Sequence, residues 1–386
     1  MDLISQLPDE VLLVILSLLP AKDVVATMVL SKRWQFLWML VPRLVYDDSY
    51  QNIEYGRFSR FVYMYLLLHE SPTLKSLHFK LGPNSGAVDV GVWTRTAVRR
   101  RVRELIIEMD CSSSTAPVIL PRSLYACCKM LVTLKLNSVI LVDFSSLVTF
   151  PSLKTLSLLS VKYPNDEFVK KFLSNCLVLE ALAVERDPND NVTIFTVIVP
   201  SLKSLFLRES PNTVDDDARG AGVDVAYSNP GKILSSMTLV KRLYLCLTSQ
   251  DAYPVGSVFN RLVYLKLCTF NTEWLNLLVC MLRDSPHLRG LKLGQYHTLR
   301  DDEPRPSWSE PNSVPECLLS SLETFKWVNY EGTKEEKELA AFILRNGSCL
   351  KKVAISSNST NSKKKLEILK ELALSFRPFI HLSACI

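Results

Sequence analysis

One pattern constrains the fold of this chain more than any other feature: apolar-x-x-apolar-x-apolar, repeated eleven times. It appears as Leu74/Leu77/Phe79, Val102/Leu105/Ile107, Leu131/Leu134/Leu136, Leu153/Leu156/Leu158, Leu179/Leu182/Val184 and Leu202/Leu205/Leu207. It continues as Val240/Leu243/Leu245, Leu262/Leu265/Leu267, Leu288/Leu291/Leu293, Leu322/Phe325/Trp327 and Leu350/Val353/Ile355. The last two apolar residues of each unit are two apart, so they share one side of an extended strand. A strand this short cannot bury that side alone. Stacked on neighbours of the same kind, it can.

The middle residues are separated by 28, 29, 22, 26, 23, 38, 22, 26, 34 and 28 positions. Most of these intervals match the period of leucine-rich repeats, about 20–29 residues. The two long intervals require insertions. Ser210–Lys232 carries Asp215, Asp216 and Asp217 with several glycines, and Gly294–Pro315 carries four prolines; both are loop compositions. Helical periodicity precedes several strands, at Arg57–His69, Glu273–Arg283 and Lys334–Arg345. The fold class expected is α/β: an irregular leucine-rich-repeat solenoid, or horseshoe, over residues 46–307. A different α/β fold with many leucine-rich strands is the alternative. The asparagine that follows the strand in regular repeats is mostly replaced, by Asp110, Val139, Val161, Ser210 and Tyr330.

Bulk chemistry narrows the function. The chain has 386 residues, 48% hydrophobic and 22% charged, a globular balance rather than a disordered one. Its net charge of +6 is small for this length and argues against a dedicated nucleic-acid binder. The run Arg95, Arg99, Arg100, Arg101 and Arg103 either touches phosphate or is a solvated helix-to-strand junction. Ten cysteines show neither disulfide nor zinc spacing, which fits reduced thiols in the cytoplasm or nucleus. The N-terminus lacks the basic start of a signal peptide, and no apolar run is long enough to span a bilayer.

Residues 1–45 stand apart from the repeat. Pro8 suits a first helical position, and Asp9 and Glu10 favour the positive helix end. From Val11 to Leu19 every residue except Ser17 is apolar. Such a helix is apolar all round, so burying one face does not satisfy it. Asp23 and Ser31 are candidate caps for a second and a third helix. Three short helices make a small core with apolar surface to spare. That surface implies either a partner protein or packing against the repeats as a cap.

This segment resembles an F-box: Leu7-Pro8-Asp9-Glu10-Val11-Leu12, Ile15-Leu16-Ser17-Leu18-Leu19-Pro20, Val24-Val25, Leu30-Ser31-Lys32-Arg33-Trp34 and Leu37-Trp38. The resemblance implies a three-helix F-box docking onto the Skp-type adaptor, and through it the cullin, of a ubiquitin ligase. Leu7, Pro8, Leu12, Ile15, Leu16, Leu19, Val24, Leu30 and Trp34 are the candidates for that contact or its supporting core. At the other end, Trp308, Val314-Pro315-Glu316-Cys317-Leu318, Leu322 to Trp327, Tyr330-Glu331-Gly332 and Cys349-Leu350-Lys351-Lys352 resemble the FBD module. That module closes many plant F-box proteins with leucine-rich repeats, and here it covers 308–358. An amphipathic stretch within 359–386, Lys363–Phe376, suits a capping helix.

Residues flanking the inward pair on each strand face the opposite, concave side. The early units present Ser76, His78 and Lys80, then Glu104, Ile106 and Glu108, then Thr133, Lys135 and Asn137. The later units present Phe206, Arg208, Arg242, Tyr244, Tyr264, Lys266, Lys292 and Lys326, basic with aromatics. Arg and aromatic residues are enriched at interface anchors, so this set is the candidate surface for a target protein carrying an acidic or phosphorylated segment. A solvated basic face is the other reading. No catalytic constellation appears: Gly82-Pro83-Asn84-Ser85-Gly86 is not a nucleophile elbow, Gly220 and Gly222 lack a third glycine, and the five histidines are isolated. The expectation is a non-enzymatic substrate receptor of a ubiquitin ligase, with no cofactor, metal, nucleic acid or membrane partner. A leucine-rich-repeat scaffold without a ligase role is the alternative.

Overall fold

A computed structural model describes residues 4–48, 55–82, 85–110, 118–142, 150–187, 190–192, 195–209, 239–246, 258–269, 274–294, 308–357 and 381–382. The chain divides into two compact units, Met1–Val192 and Thr193–Ile386.

The first unit begins with α1 (Asp9–Leu16) and α2 (Ala21–Ala26), flanked by single 3-10 turns at Ile4–Gln6, Thr27–Val29 and Leu37–Leu40. It continues through β1 (Arg43–Asp47), α3 (Tyr55–Leu68), β2 (Ser76–Leu81), α4 (Ala87–Arg99) and β3 (Glu104–Met109). Then come β4 (Val118–Ile119), α5 (Ser123–Cys127), β5 (Thr133–Asn137), β6 (Val139–Ile140), β7 (Thr155–Leu159), α6 (Asp166–Ser174) and β8 (Ala181–Arg186). The second unit contains β9 (Ser204–Glu209), β10 (Arg242–Cys246), β11 (Tyr264–Cys268), α7 (Trp274–Arg283) and β12 (Gly290–Gly294). It closes with α8 (Glu316–Ser320), β13 (Thr324–Val328), α9 (Lys334–Asn346), β14 (Lys352–Ser356) and β15 (His381–Leu382).

Strands pair in parallel in both units, and the pairing places the repeat's apolar residues in rows. In the first unit Leu44, Leu77, Leu105, Leu134, Leu156 and Leu182 stand in register, and so do Tyr46, Phe79, Ile107, Leu136, Leu158 and Val184. In the second, Leu205, Leu243, Leu265, Leu291, Phe325 and Val353 form one row. Leu207, Leu245, Leu267, Leu293, Trp327 and Ile355 form the other. All are buried. Burying each such side chain contributes about 1.5–3 kcal/mol, which is why the strands stack.

Main-chain hydrogen bonds repeat with the rows. The carbonyl just before most strands of these rows accepts two N–H groups from the next repeat. Lys75 O takes those of Arg103 and Glu104, Arg103 O those of Val132 and Thr133, and Lys154 O those of Glu180 and Ala181. The same double acceptance recurs at Lys203, Lys241, Val263, Arg289 and Glu323 in the second unit. After the strands the backbone again makes the ladder. Ser138 N–H donates to Leu159 O, Ser160 N–H to Glu185 O, and Tyr330 N–H to Ser356 O. These turns place Ser138, Ser160 and Asn329 at positive φ. Backbone groups thus make the bonds that an asparagine ladder makes in regular repeats, and Val139, Val161 and Tyr330 fill the vacated interior positions.

A twelfth unit precedes the eleven read from the sequence. Val41/Leu44/Tyr46 follows the same spacing, and β1 pairs with β2 through Leu44↔Leu77 and Tyr46↔Phe79. The expected division between residues 45 and 46 therefore falls inside a strand. Tyr46 stacks on Phe79 at 5.4 Å, and Phe79 on Trp93 at 5.4 Å.

In residues 1–45, the N-terminal hook, the expected third helix is present only as a 3-10 turn and not as an α-helix. From Ser31 the chain makes turns closed by i→i+3 bonds, Trp34 N–H to Ser31 O and Leu37 N–H to Trp34 O, then the 3-10 turn at Leu37–Leu40. Trp34 and Leu37 are both buried, and a three-residue period brings them to one side. The second helix starts at Ala21 after Pro20, with Asp23 in its first turn rather than at the cap. The helices expected at Arg57–His69, Glu273–Arg283 and Lys334–Arg345 correspond to α3, α7 and α9. Ser210–Lys232 and the stretch Lys363–Phe376 lie outside the described residues, as does most of Gly294–Pro315.

The hook is fastened to the first repeat by a buried histidine. Arg100 Nη2 donates to His69 Nδ1 at 2.8 Å, so the ring proton sits on Nε2 and is donated to Val41 O at 2.8 Å. Arg100 also reaches the carbonyls of His69 and Ser71. The arginine run does span a helix-to-strand junction, between α4 and β3, and one member of it has this structural task. Burial, reinforced by the Arg100 cation, lowers His69 below its ordinary 6.5. The neutral ring's contribution is therefore complete above pH 6.5 and is lost as pH falls through the lowered value. His69→Gln keeps a donor for Val41 and does not titrate. Between pH 7.5 and 5 its melting temperature should fall less than that of the unaltered chain, by about 2–4 °C; equal falls would contradict this role.

In the FBD-like region, α9 opens with a capping box. Thr333 Oγ1 accepts the N–H of Glu336, and the buried Glu336 Oε2 accepts those of Glu331, Gly332 and Thr333. Gly332 has a φ of 77°, which a side chain resists. Glu336→Ala leaves three N–H groups to find other partners, and denaturant titration should show a loss of at least ~2 kcal/mol. Glu338→Ala, on the exposed side of α9, should change stability by less than ~0.5 kcal/mol.

Candidate functional sites

Two surfaces carry chemistry. The first is the hook. Leu12, Leu16, Val24 and Trp34 are buried and hold it together. Pro8, Ile15 and Leu30 are exposed, and Leu7 and Leu19 half-buried. Sequence reading left the two roles undivided, and it missed much of the outward surface: Ile4, Val11, Val14, Leu18, Met28, Val29 and Phe36 are exposed, Leu18 at 79% and Val29 at 83%. On α1, Val11, Val14 and Ile15 lie on neighbouring exposed positions, Val11 and Ile15 four residues apart, and Leu18 follows in the turn just after the helix. The signal was available, since an all-apolar helix with two buried positions must show the rest. Arg33 ties the segment's two ends together, donating to the Asp9 carboxylate and to Leu7 O. That pair is exposed and adds little stability by itself. It sets the geometry of the exposed patch.

The second surface is the face of the second unit's sheet that alternates with the buried rows. The eight candidates all fall on described strands. Register places Phe206, Tyr244, Lys266, Lys292 and Lys326 in one row across five neighbouring strands. Arg242 and Tyr264 stand beside each other in the adjacent row. Phe206 and Tyr244 lie 6.4 Å apart and Tyr244 and Tyr264 5.7 Å, so the rings form a tilted run. Gly290 makes room for it: a Cβ there would come within 2.7 Å of the Tyr264 ring. Arg208 lies beside this row, and a cavity of about 270 Å³ opens between Phe206, Arg208, Tyr244 and Lys266, with Cys246 and Cys268 among its lining residues. The bond to Cys268, with burial, raises the Cys246 thiol far above its usual range. The cavity thus has a neutral lining of thiols and two cations.

On the corresponding face of the first unit several basic groups lie beside carboxylates. Arg43 pairs with Glu104 at 2.9 Å, Lys80 with Asp47 at 3.8 Å, and His78 lies 3.4 Å from Glu108. In the second unit Arg242, Lys292 and Lys326 have no carboxylate partner among the described residues. Register sets Lys266, Lys292 and Lys326 side by side at strand spacing, about 4.8 Å, where like charges repel. Among the described residues, no group of three or more His, Cys, Asp or Glu is placed to hold a metal, no disulfide joins the cysteines, and no helix is long and apolar enough to cross a membrane.

Comparison with known proteins matches three parts of the chain to family descriptions. The family described as F-box domain matches residues 4–46, and FBD matches 310–355. The leucine-rich repeats of FBD-associated F-box protein At5g56370 match 90–217. Among full-length relatives in Arabidopsis thaliana, Probable FBD-associated F-box protein At1g32375 is 58% identical, covering 98% of each chain. Putative FBD-associated F-box protein At5g50270 is 55% identical over 96% of this chain and 100% of its own. F-box/FBD/LRR-repeat protein At5g56420 is 46% identical over 97% of this chain and 96% of its own. With an F-box at its start, leucine-rich repeats through its middle and an FBD module near its end, this chain belongs to the FBD-associated F-box proteins.

Proposed function

We propose that the protein is the substrate-recognition subunit of a cullin–RING ubiquitin ligase. The hook docks a Skp-type adaptor, and the second unit's basic face holds the target. The supporting observation is the set of exposed apolar side chains on α1, with Met28, Val29, Leu30 and Phe36. Many exposed apolar side chains within so short a segment mark an interaction site. Its supporting residues Leu12, Leu16, Val24 and Trp34 keep these side chains in place without touching the partner. Pro8, Ile15, Leu30 and the half-buried Leu7 and Leu19 belong to the contact.

Such a receptor performs no chemistry. It raises the local concentration of a target lysine at a ubiquitin-charged enzyme, and proximity supplies the acceleration. The target surface comprises Phe206, Arg208, Arg242, Tyr244, Tyr264, Lys266, Lys292 and Lys326. Its cations select an acidic segment, and its rings supply rigid contact area. A scaffold that binds targets without a ligase remains the second reading, favoured only by the self-sufficiency of the repeat core.

The adaptor contact is tested by Leu18→Asp and Val29→Asp in the full chain. Both side chains are exposed, so folding should be unchanged by circular dichroism, while adaptor affinity in calorimetry falls at least a hundredfold. Unaltered affinity in both variants would contradict the docking surface. The target contact is tested by reversing Arg242, Lys292 and Lys326 to Glu and comparing proteins captured from plant extract with those captured by the unaltered chain. Loss of specific capture with the adaptor still bound is expected. An identical capture profile would mean that this face is only solvated.

A further inference from the structure

Arg100 accounts for only part of the arginine run at the end of α4. We infer that its neighbour Arg101, together with Lys129, heads a binding site for a small organic acid, one carboxylate on a short apolar body. The site shares no residue with the hook or the basic face, and it does not depend on the ligase reading.

α4 ends in a turn that glycine ordinarily closes. Arg101 N–H donates to Val98 O at 3.1 Å and Val102 N–H to Ala97 O at 3.3 Å, the paired bonds of a Schellman motif. The residue just past the helix in that motif takes a positive φ, where a side chain strains the backbone. Arg101 does so at 52°. The other non-glycine residues at positive φ among the described residues are Ser138, Ser160 and Asn329, all short. A long cationic side chain kept where glycine fits better points to a task for its guanidinium.

A cavity of about 290 Å³ supplies that task. Arg101 and Lys129 line it, and so do Ala97, Val98, Val102, Cys128 and Met130. Ala97 and Val102 are the pair whose apolar contact accompanies a Schellman turn. Lys129 and Met130 come from the next repeat, in the turn between α5 and β5 that Leu131 N–H closes on Cys128 O. Both cations are exposed, while Ala97, Val98, Val102 and Cys128 are buried. Met130 is exposed, and its flexible thioether chain can fold over an occupant.

Cations near a helix C-terminus are favoured by the helix dipole alone, so Arg101 and Lys129 would mark nothing without the apolar cavity beside them. No ion pair among the described residues engages either side chain. A carboxylate at the cavity's mouth receives two parallel bonds from the guanidinium fork and a point charge from the ammonium group. The volume stands at the lower bound of small-molecule sites, about 300 Å³, and the walls offer aliphatic carbon. The body of the ligand is therefore short and apolar.

The test is calorimetry on the full chain with octanoate as the probe. Acetate supplies the charge without the tail, and octanol the tail without the charge. Octanoate should bind at one site with a Kd below about 1 mM, and acetate and octanol at least tenfold more weakly. Arg101→Gly removes the guanidinium and relieves the backbone. Octanoate affinity should then fall at least tenfold while the melting temperature holds or rises. Lys129→Ala should weaken octanoate and leave octanol unchanged. Arg99→Ala removes an exposed cation of the same helix that does not line the cavity, and octanoate affinity should persist. Octanol binding as tightly as octanoate would overturn the role of the cations, and acetate doing so would overturn the role of the cavity. No octanoate binding, or undiminished affinity in Arg101→Gly, would overturn the site. An equal loss in Arg99→Ala would reduce the effect to general attraction by the arginine run and overturn it as well.

Discussion

The rows of the repeat depend on the double hydrogen bond made by the carbonyl before most of their strands. A five-residue strand has few ladder bonds and half of its side chains exposed. One carbonyl accepting two N–H groups from the next repeat fixes where that strand begins. Because side chains alternate, a slip of one residue would turn every leucine outward. The bonds thus set the register, and the register puts leucine on leucine from one repeat to the next. Repeat length is left unconstrained, which is why intervals of 22 and 38 residues coexist.

That regular frame lets the outward rows vary at small cost, and the two units use the freedom differently. In the first, Arg43 and Lys80 pair with carboxylates across strands. In the second, three lysines stand in adjacent positions of one row beside a tilted run of aromatic rings. Like charges opposite one another oppose folding, and local choices that work against the fold are expected where function demands them. The hook shows the same logic in apolar form. Its buried residues number just enough to hold two short helices and their turns, and the remaining apolar side chains face outward.

Much of this was legible in the sequence because the repeat's rows depend only on spacing. The eleven strands, their inward residues and the eight outward residues of the basic face all follow from a period of two. The twelfth unit escaped notice. Val41/Leu44/Tyr46 contains one leucine and adjoins a segment rich in apolar residues, where the spacing carries little contrast. The third hook helix failed for a different reason. Ser31 offered a cap, but the chain there makes i→i+3 turns and a 3-10 turn at Leu37–Leu40, which a cap residue alone does not disclose. Pairings between strands distant in sequence, such as Arg43 with Glu104, and the fastening of His69 by Arg100 have no local signal. Nor does spacing reveal which apolar residues of the hook turn outward, since that depends on how α1 and α2 pack.

The central claim is that one chain joins an adaptor-binding hook to a separate target-binding array. Light scattering on a mixture of the purified full chain and a Skp-type adaptor tests it most directly, with a chain lacking residues 1–40 as comparison. The account predicts a one-to-one complex for the full chain and none for the shortened chain, which keeps β1 and whose folding is checked by circular dichroism. A full chain that remains at its own mass beside the adaptor, while its circular dichroism shows it folded, would contradict the account.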